Sequence, residues 1–184
     1  MQAADESTLP FKPPQPPRQL YFQDDGATPN NRLPVLIYHL QWNPGQDRAA
    51  ALEALFERND WVPLWRAGIF TYHHYHPNAH EALGVVSGQA KVTLGGEKGQ
   101  TLTLQGGDVV ILPAGVGHRC EESSSDFLVV GAYPLGQEAY DIERPSPRSR
   151  DAALARIAQV ALPQADPVTG PQGTLPGVWH QPIP

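Results

Sequence analysis

Histidines crowd one short stretch of the sequence. The chain has seven histidines, and four of them lie within residues 73–80, which read HHYHPNAH and are followed at once by Glu81. Four imidazoles this close would repel one another when protonated, whereas a metal ion holds them neutral as ligands. The cluster therefore predicts a metal site.

Strand geometry indicates which of these side chains share a face. Because side chains alternate along a strand, His74 and His76 point to one side and His73 to the other. Residues 77–79 supply a turn, and Glu81 then begins a returning strand that lies beside the two imidazoles. Two imidazoles and one carboxylate leave coordination positions open for water, substrate or oxygen.

A fourth ligand is predicted from a later strand. Residues 108–112 form a strand that is apolar from Val109 onward, the turn Pro113-Ala114-Gly115 ends it, and His118 opens the next strand. A six-coordinate ion that binds this fourth side chain would still have room for a small molecule.

The spacing of these residues resembles the two motifs of the cupin family. Residues 68–88 match the first motif, G-x5-HxH-x4-E-x6-G, and residues 107–118 match the second, G-x5-PxG-x2-H. The family continues the second motif with Asn four residues later, where this chain has Glu122. That Asn is not a metal ligand in the family, so the departure affects the loop rather than the metal assignment.

The resemblance implies a fold, a ligand set and an assembly. The implied fold is all-β, a double-stranded β-helix or cupin jelly-roll barrel, with the metal inside and a homodimer as the assembly. The implied ligands are His74, His76, Glu81 and His118. The run around the histidines also looks like a bacterial subgroup of small uncharacterised cupins known as YjlB-like, which brings no settled reaction. The alternative is a cupin that keeps these residues and binds no metal.

Further side chains are assigned around the predicted site. Catalytic roles in moving a proton are predicted for His80 and Tyr72, the latter by its position on the face of His74. For His80 three interpretations stay open: a partner or pocket residue beside the ligands, an inert surface residue, or a ligand in place of Glu81. Structural, surface or packing roles are expected for His73, His39 and His180, and the lone Cys120 is expected to be inert.

The remaining elements follow from hydrophobic period and turn residues. Two flanking helices are predicted, one near 44–58 with Asn43 as its cap and one near 149–160. The domain is expected to span residues 19–145, between a Pro-rich arm at 1–18 and a helix with an ordered, irregular arm at 146–184. Strands are predicted at 19–23, 34–41, 67–76, 80–87, 89–95, 100–104, 108–112, 118–121 and 126–133.

Composition limits the function classes. The formal net charge is −6 and no basic stripe occurs, which argues against nucleic-acid binding. No apolar run of 18 residues occurs, and the N-terminus shows neither a secretory signal nor a membrane anchor. A single cysteine excludes an internal disulfide and favours a reducing, cytoplasmic location.

Three function classes remain at this point. The first is a metal-dependent enzyme on a small organic molecule, with dioxygenase chemistry ahead of isomerase or decarboxylase chemistry. The second is a small-molecule binding or sensing protein, and the third is a structural or storage protein. Iron or manganese is the expected metal, with zinc or nickel as alternatives. An open cavity of a few hundred Å³ at the metal would favour ligand chemistry.

Overall fold

The computed structural model of the chain describes residues 9–180. Residues 1–8, which belong to the predicted Pro-rich arm at 1–18, lie outside the described residues. The last four residues of the predicted C-terminal arm, 181–184, lie outside them as well.

Short strands make up most of the regular structure of the described chain, and three short helices accompany them. Along the sequence the elements are β1 Arg18–Phe22, β2 Asn31–His39, α1 Arg48–Arg58, β3 Trp61–Ala67, β4 Glu81–Ser87, β5 Gln89–Leu94, β6 Gln100–Gln105, β7 Asp108–Leu112, β8 His118–Ser123, β9 Leu128–Pro134, α2 Arg150–Ile157 and α3 Thr174–Trp179.

The strands form two antiparallel sheets. The large sheet has six strands in the order β1-β2-β7-β4-β9-β3, and the small sheet has three in the order β6-β5-β8. This architecture confirms the predicted all-β, double-stranded β-helix fold. It has three short helices where the sequence predicted two.

Both faces of the large sheet are buried along its four central strands, β2, β7, β4 and β9, which explains why these strands read as nearly continuous apolar runs. On β2, Val35 packs between the sheets, whereas Leu36 packs on the outer side with α1 and α3. On β7, Val110 likewise packs between the sheets, and Val109 packs on the outer side. Val35 and Val110 belong to an inner cluster of apolar residues, which lies between the two sheets beside the predicted metal residues.

Helix α1 packs directly on the large sheet but begins later than predicted. A Cβ at Gly84 of β4 would lie 3.0 Å from Leu52, so glycine allows this close approach. The N-cap is Asp47, whose carboxylate accepts from the Ala50 N–H at 3.2 Å. The predicted cap, Asn43, instead donates its side-chain N–H to the Leu9 carbonyl at 2.9 Å, and this bond anchors the N-terminal segment.

Residues 68–80 do not form the regular strand that was predicted over 67–76. Isolated backbone pairings hold this segment in place of a continuous ladder. His74 and His118 exchange both backbone hydrogen bonds, at 2.9 and 3.2 Å, and Tyr75 exchanges both with Glu143 at 2.9 Å. The side chains alternate locally at these pairings although no strand continues through them.

The described part of the C-terminal segment packs on the outer face of the large sheet and includes helix α3, where the sequence predicted an irregular arm. Trp179 of α3 is fully buried and donates from Nε1 to the Pro34 carbonyl at 3.0 Å. Buried Asp166 accepts from the Tyr38 hydroxyl at 2.6 Å and from the backbone N–H of Leu175 at 3.1 Å. Within residues 9–180 no helix is both long and apolar enough to cross a membrane.

Candidate metal centre

Three histidines meet at one end of the space between the sheets. One ring nitrogen from each of His74, His76 and His118 lies within 4.8 Å of the other two, and all three residues are buried. The segment after β3 supplies the first two, and the first residue of β8 supplies the third. Three buried imidazoles at this separation could hold a metal ion.

Backbone carbonyls fix the orientation of all three rings. Nδ1 of His74 lies 3.0 Å from the Tyr72 carbonyl, and Nδ1 of His118 lies 3.1 Å from the Val116 carbonyl. Nδ1 of His76 lies 2.8 Å from the carbonyl of Asp141. A carbonyl only accepts, so each Nδ1 carries a proton and each neutral ring presents the lone pair of Nε2.

The carboxylate of Glu81, the first residue of β4, contacts two of the three histidines, although the group of side chains close enough to share one ion contains the histidines alone. Its Oε2 lies 3.0 Å from Nε2 of His76, and its Oε1 lies 3.0 Å from Nε2 of His118. With Nδ1 protonated on both neutral rings, these contacts set nitrogen lone pairs against carboxylate oxygens. A cation or extra protons must therefore relieve them.

A metal ion fits this donor set. Ligand atoms that lie about 2.1 Å from one ion and subtend a right angle are about 3.0 Å apart, which agrees with the Glu81 contacts. Nε2 of His76 and Oε1 of Glu81 are buried and have no hydrogen-bond partner among residues 9–180. Buried polar atoms are rarely left unpaired, so these two atoms indicate a missing ligand.

Burial and the contacts within the cluster shift the pKa values of its members, and the shifts of His74 and Glu81 suit metal ligation. Burial, and then repulsion from His118, lowers the pKa of His74 to about 3, so its ring stays neutral. Burial acts to raise the pKa of Glu81, but His76 and His118 outweigh it and hold that pKa well below its usual range. Burial acts to lower the pKa of His76, but the Glu81 carboxylate outweighs it and raises that pKa.

Two aromatic residues that the sequence analysis missed hold Glu81 in place. The Tyr133 hydroxyl donates to Oε2 of Glu81 at 2.5 Å and accepts from Nε1 of Trp65 at 2.9 Å. Burial and the adjacent carboxylate raise the pKa of Tyr133, which keeps its phenol protonated. Strand parity could have found Tyr133, since it lies on the same face of β9 as inward-facing Val129.

A cavity of about 260 Å³ opens beside the four residues. Most of its remaining lining is apolar or aromatic, including Leu83. Phe70 and Ile142 lie on this lining and are 47% and 44% exposed, so they form an apolar rim. The cavity therefore reaches solvent, and its volume lies just below the lower end, roughly 300 Å³, of the range found for ligand pockets.

The structure does not bring His80 into this cavity. Its side chain is buried on the other side of β4, where its ring centre lies 4.9 Å from that of Trp179. Nδ1 accepts from the Ala114 N–H at 2.8 Å, and burial lowers the pKa of His80 to about 3, with the Ala161 carbonyl opposing that shift. Because His80 directly precedes Glu81, alternation turns it away from the ligands, and it is neither a surface residue nor a replacement for Glu81.

Tyr72 also lies outside the cavity lining. Its ring stacks on that of Phe70, with the ring centres 5.0 Å apart. The guanidinium carbon of Arg144 lies over the Tyr72 ring, 3.9 Å from its centre. Parity with His74 predicted the same face, but residues 68–73 are irregular, so alternation does not extend back to Tyr72. The tyrosines that line the cavity are Tyr133 and Tyr140, whose rings stack at 4.0 Å.

The other singled-out residues have ordinary surroundings. Cys120 is a buried free thiol in the inner cluster, and His73 does not line the metal cavity. His39 contacts Asp108 at 2.7 Å near the surface, and His180 contacts the Pro163 carbonyl. These placements agree with the structural or packing roles expected of them.

Comparison with known proteins identifies the class. The family described as Cupin domain matches residues 66–130, which contain all four residues of the candidate centre. The chain belongs to the cupin family. It is similar to the uncharacterized protein YjlB of Bacillus subtilis (strain 168), with 41% identity over 160 residues that make up 86% of this chain and 94% of that protein. It is a small cupin of this YjlB-like kind.

Two further similarities are weaker. An uncharacterized protein of Streptomyces coelicolor is 39% identical over 82 residues, which are 44% of this chain and 75% of that protein. A solved Klebsiella pneumoniae protein with a double-stranded beta-helix domain is 17% identical, covers 78% of this chain and 98% of its own, and has a TM-score of 0.35.

Proposed function

We propose that this protein is a metal-dependent enzyme that acts on a small organic molecule in the cavity. Its ligands would be His74, His76, Glu81 and His118. The observation that carries the proposal is the arrangement of the three imidazoles, each held by a backbone carbonyl at Nδ1. Their Nε2 atoms are thereby prepared for a metal beside a cavity of about 260 Å³ that reaches solvent.

The reaction class we favour is dioxygenation, in which both atoms of O₂ enter the substrate and no outside reductant is needed. A bound ion would supply a Lewis acid or a redox centre. The chain's own residues would orient the substrate and exclude bulk water through the apolar lining. The Tyr133 hydroxyl already donates to Glu81 and accepts from Trp65, so it is not free to move a proton. Isomerase and decarboxylase chemistry, which need such a group, come next.

Iron or manganese is the metal we expect, with zinc or nickel as alternatives. Three imidazoles and a carboxylate accept several first-row divalent ions, and affinity alone would not favour iron or manganese. Oxygen chemistry does favour them, because zinc has no redox step.

A second candidate is a small-molecule binding or sensing cupin without catalysis. It is favoured because the Tyr133 hydroxyl is already bonded to Glu81 and Trp65, so this group gives a bound molecule little help in proton transfer. A structural or storage role comes third, because a buried ligand set has no evident use there. The predicted roles of His80 and Tyr72, the homodimer and the cytoplasmic location stay predictions.

Metal analysis of untagged protein tests the proposal. We expect close to one iron or manganese per chain in the wild type by elemental mass spectrometry, lost in His76→Ala and retained in the matched control His73→Ala. A wild type that carries no metal and takes none up would refute the proposal.

Oxygen consumption by the iron-loaded protein then separates the two candidates. A panel of small oxygen chelators would be screened with the wild type and His76→Ala. Uptake of O₂ by the wild type with one of them supports the enzyme. Saturable binding across the panel, with neither turnover nor O₂ uptake, would support the binding protein instead.

A further inference from the structure

Charge in the cavity limits which molecules it can take. No lysine or arginine of residues 9–180 lines the cavity, and Glu81 is the acidic residue on its wall. A divalent ion beside this carboxylate and three neutral imidazoles leaves one net positive charge. A ligand with a single negative charge would neutralise it, whereas a dianion would leave an unpaired charge in an apolar space, which is costly.

Few hydrogen bonds are left to solvate a second charge. The indole N–H of Trp65 is used by Tyr133, and the Tyr133 hydroxyl is used by Glu81. Nδ1 of each histidine faces a backbone carbonyl rather than the cavity. Apart from the hydroxyl of Tyr140, which also lines the cavity, these polar groups on the wall are committed to other protein groups.

Flat aromatic faces make up much of the remaining wall. Tyr140 stacks on Tyr133 with ring planes 14° apart, and its ring lies edge-on to His76 at 5.0 Å. Phe70, at the rim, lies edge-on to His74, with the two ring centres 5.2 Å apart. Since a cavity of about 150 Å³ holds benzene, the observed 260 Å³ admits one ring with a few substituents.

We infer that the molecule bound here is a small planar ring compound that binds the metal and carries at most one negative charge. Dicarboxylates and phosphate esters are excluded by the same walls. This inference rests on the proposed metal site and deepens it.

Two probes with the same chelating pair of oxygens test the inference. Tropolone is a planar seven-membered ring that chelates with one negative charge, and oxalate chelates with two and has no ring. Each would be titrated into Co²⁺-loaded protein, with the visible spectrum followed and the retained metal measured after desalting. Each affinity is divided by that probe's affinity for aqueous Co²⁺, which removes the chelation strength of the probe itself.

We expect the corrected affinity to favour tropolone by at least about 10-fold, because one unpaired charge in an apolar site costs more than the 1.4 kcal/mol of a 10-fold change. Equal corrected affinities, tighter oxalate binding, or removal of Co²⁺ by tropolone without a ternary complex would overturn the inference alone. A wild type that binds no Co²⁺ would instead defeat the proposed function.

A charge placed on the rim provides a second test. Ile142→Arg adds a cation to the lining at a side chain that is 44% exposed, so the fold should tolerate it. Leu135→Arg, at a residue that is 68% exposed and outside the lining, is the matched control. The preference for tropolone should fall at least about 5-fold in Ile142→Arg and stay unchanged in Leu135→Arg. An equal preference in both variants would contradict the inference.

Discussion

Tyr133 donates its hydroxyl hydrogen to Oε2 of Glu81 at 2.5 Å, the same oxygen that lies 3.0 Å from Nε2 of His76. The other carboxylate oxygen, Oε1, has no hydrogen-bond partner among the described residues and faces His118. Tyr133 therefore fixes the rotation of the carboxylate and leaves one oxygen for a metal. Groups that orient a metal ligand in this way commonly govern affinity.

Tyr133→Phe should weaken metal binding by roughly 10-fold, because the carboxylate loses the donor that fixes its rotation. Competition with a chromophoric zinc chelator measures the change. Tyr38→Phe is the matched control, since the Tyr38 hydroxyl bonds Asp166 on the outer side of the sheet. Equal zinc affinity in Tyr133→Phe and the wild type would contradict the positioning role.

Gly131→Ala should displace the Trp65 indole, because a Cβ at position 131 would lie 2.1 Å from that ring. Overpacking of this kind costs about 1–3 kcal/mol in the free energy of unfolding, measured by urea denaturation. Gly177→Ala, where a Cβ meets nothing within 4 Å, is the control. Indistinguishable midpoints for the two variants would show that Trp65 moves freely.

His80→Ala should lower the free energy of unfolding by about 2–4 kcal/mol, because it leaves a cavity and an unpaired buried N–H at Ala114. Urea unfolding of the metal-free protein measures this change. His39→Ala is the control, with a side chain that is 50% exposed. A stable His80→Ala variant without activity would instead favour the predicted proton-transfer role.

Tyr38→Phe should cost about 1–3 kcal/mol near pH 8, because buried Asp166 loses its hydroxyl donor. Burial and Asp166 raise the pKa of Tyr38, so the folded state retains a proton that the unfolded chain loses near pH 10. The wild type should therefore lose stability more steeply than the variant above about pH 10. Urea unfolding at pH 8, 9 and 10.5 compares them, and parallel curves would contradict the assignment.

Motif spacing allowed the core of the site to be predicted. His74, His76 and Glu81 lie within eight residues, so local alternation and one turn bring them together. His118 follows a turn of restricted geometry, and its distance from the others is set by strand pairing. Residues 68–73 are not in a strand, so the alternation of side chains does not apply there. The prediction that Tyr72 shares the cavity face of His74 was therefore wrong.

Contacts between distant segments could not be predicted in this way. Trp65 and Tyr133 are ordinary aromatic residues in apolar strands, and only the pairing of β3 with β9 brings them together. The predicted start of α1 was wrong, because the Asn43 side chain donates a hydrogen bond to the Leu9 carbonyl and does not cap the helix. Such choices depend on tertiary partners, which local propensity does not include.

The mutual backbone bonds of His74 and His118 give the candidate centre a built-in reporter. Their amides pair at 2.9 and 3.2 Å, so the two residues are closed into a ring at the main chain. An ion held by both side chains would close a second ring around the same atoms. Hydrogen–deuterium exchange at these two amides should therefore slow sharply on metal loading, and this signal reads occupancy of the barrel without knowledge of any substrate.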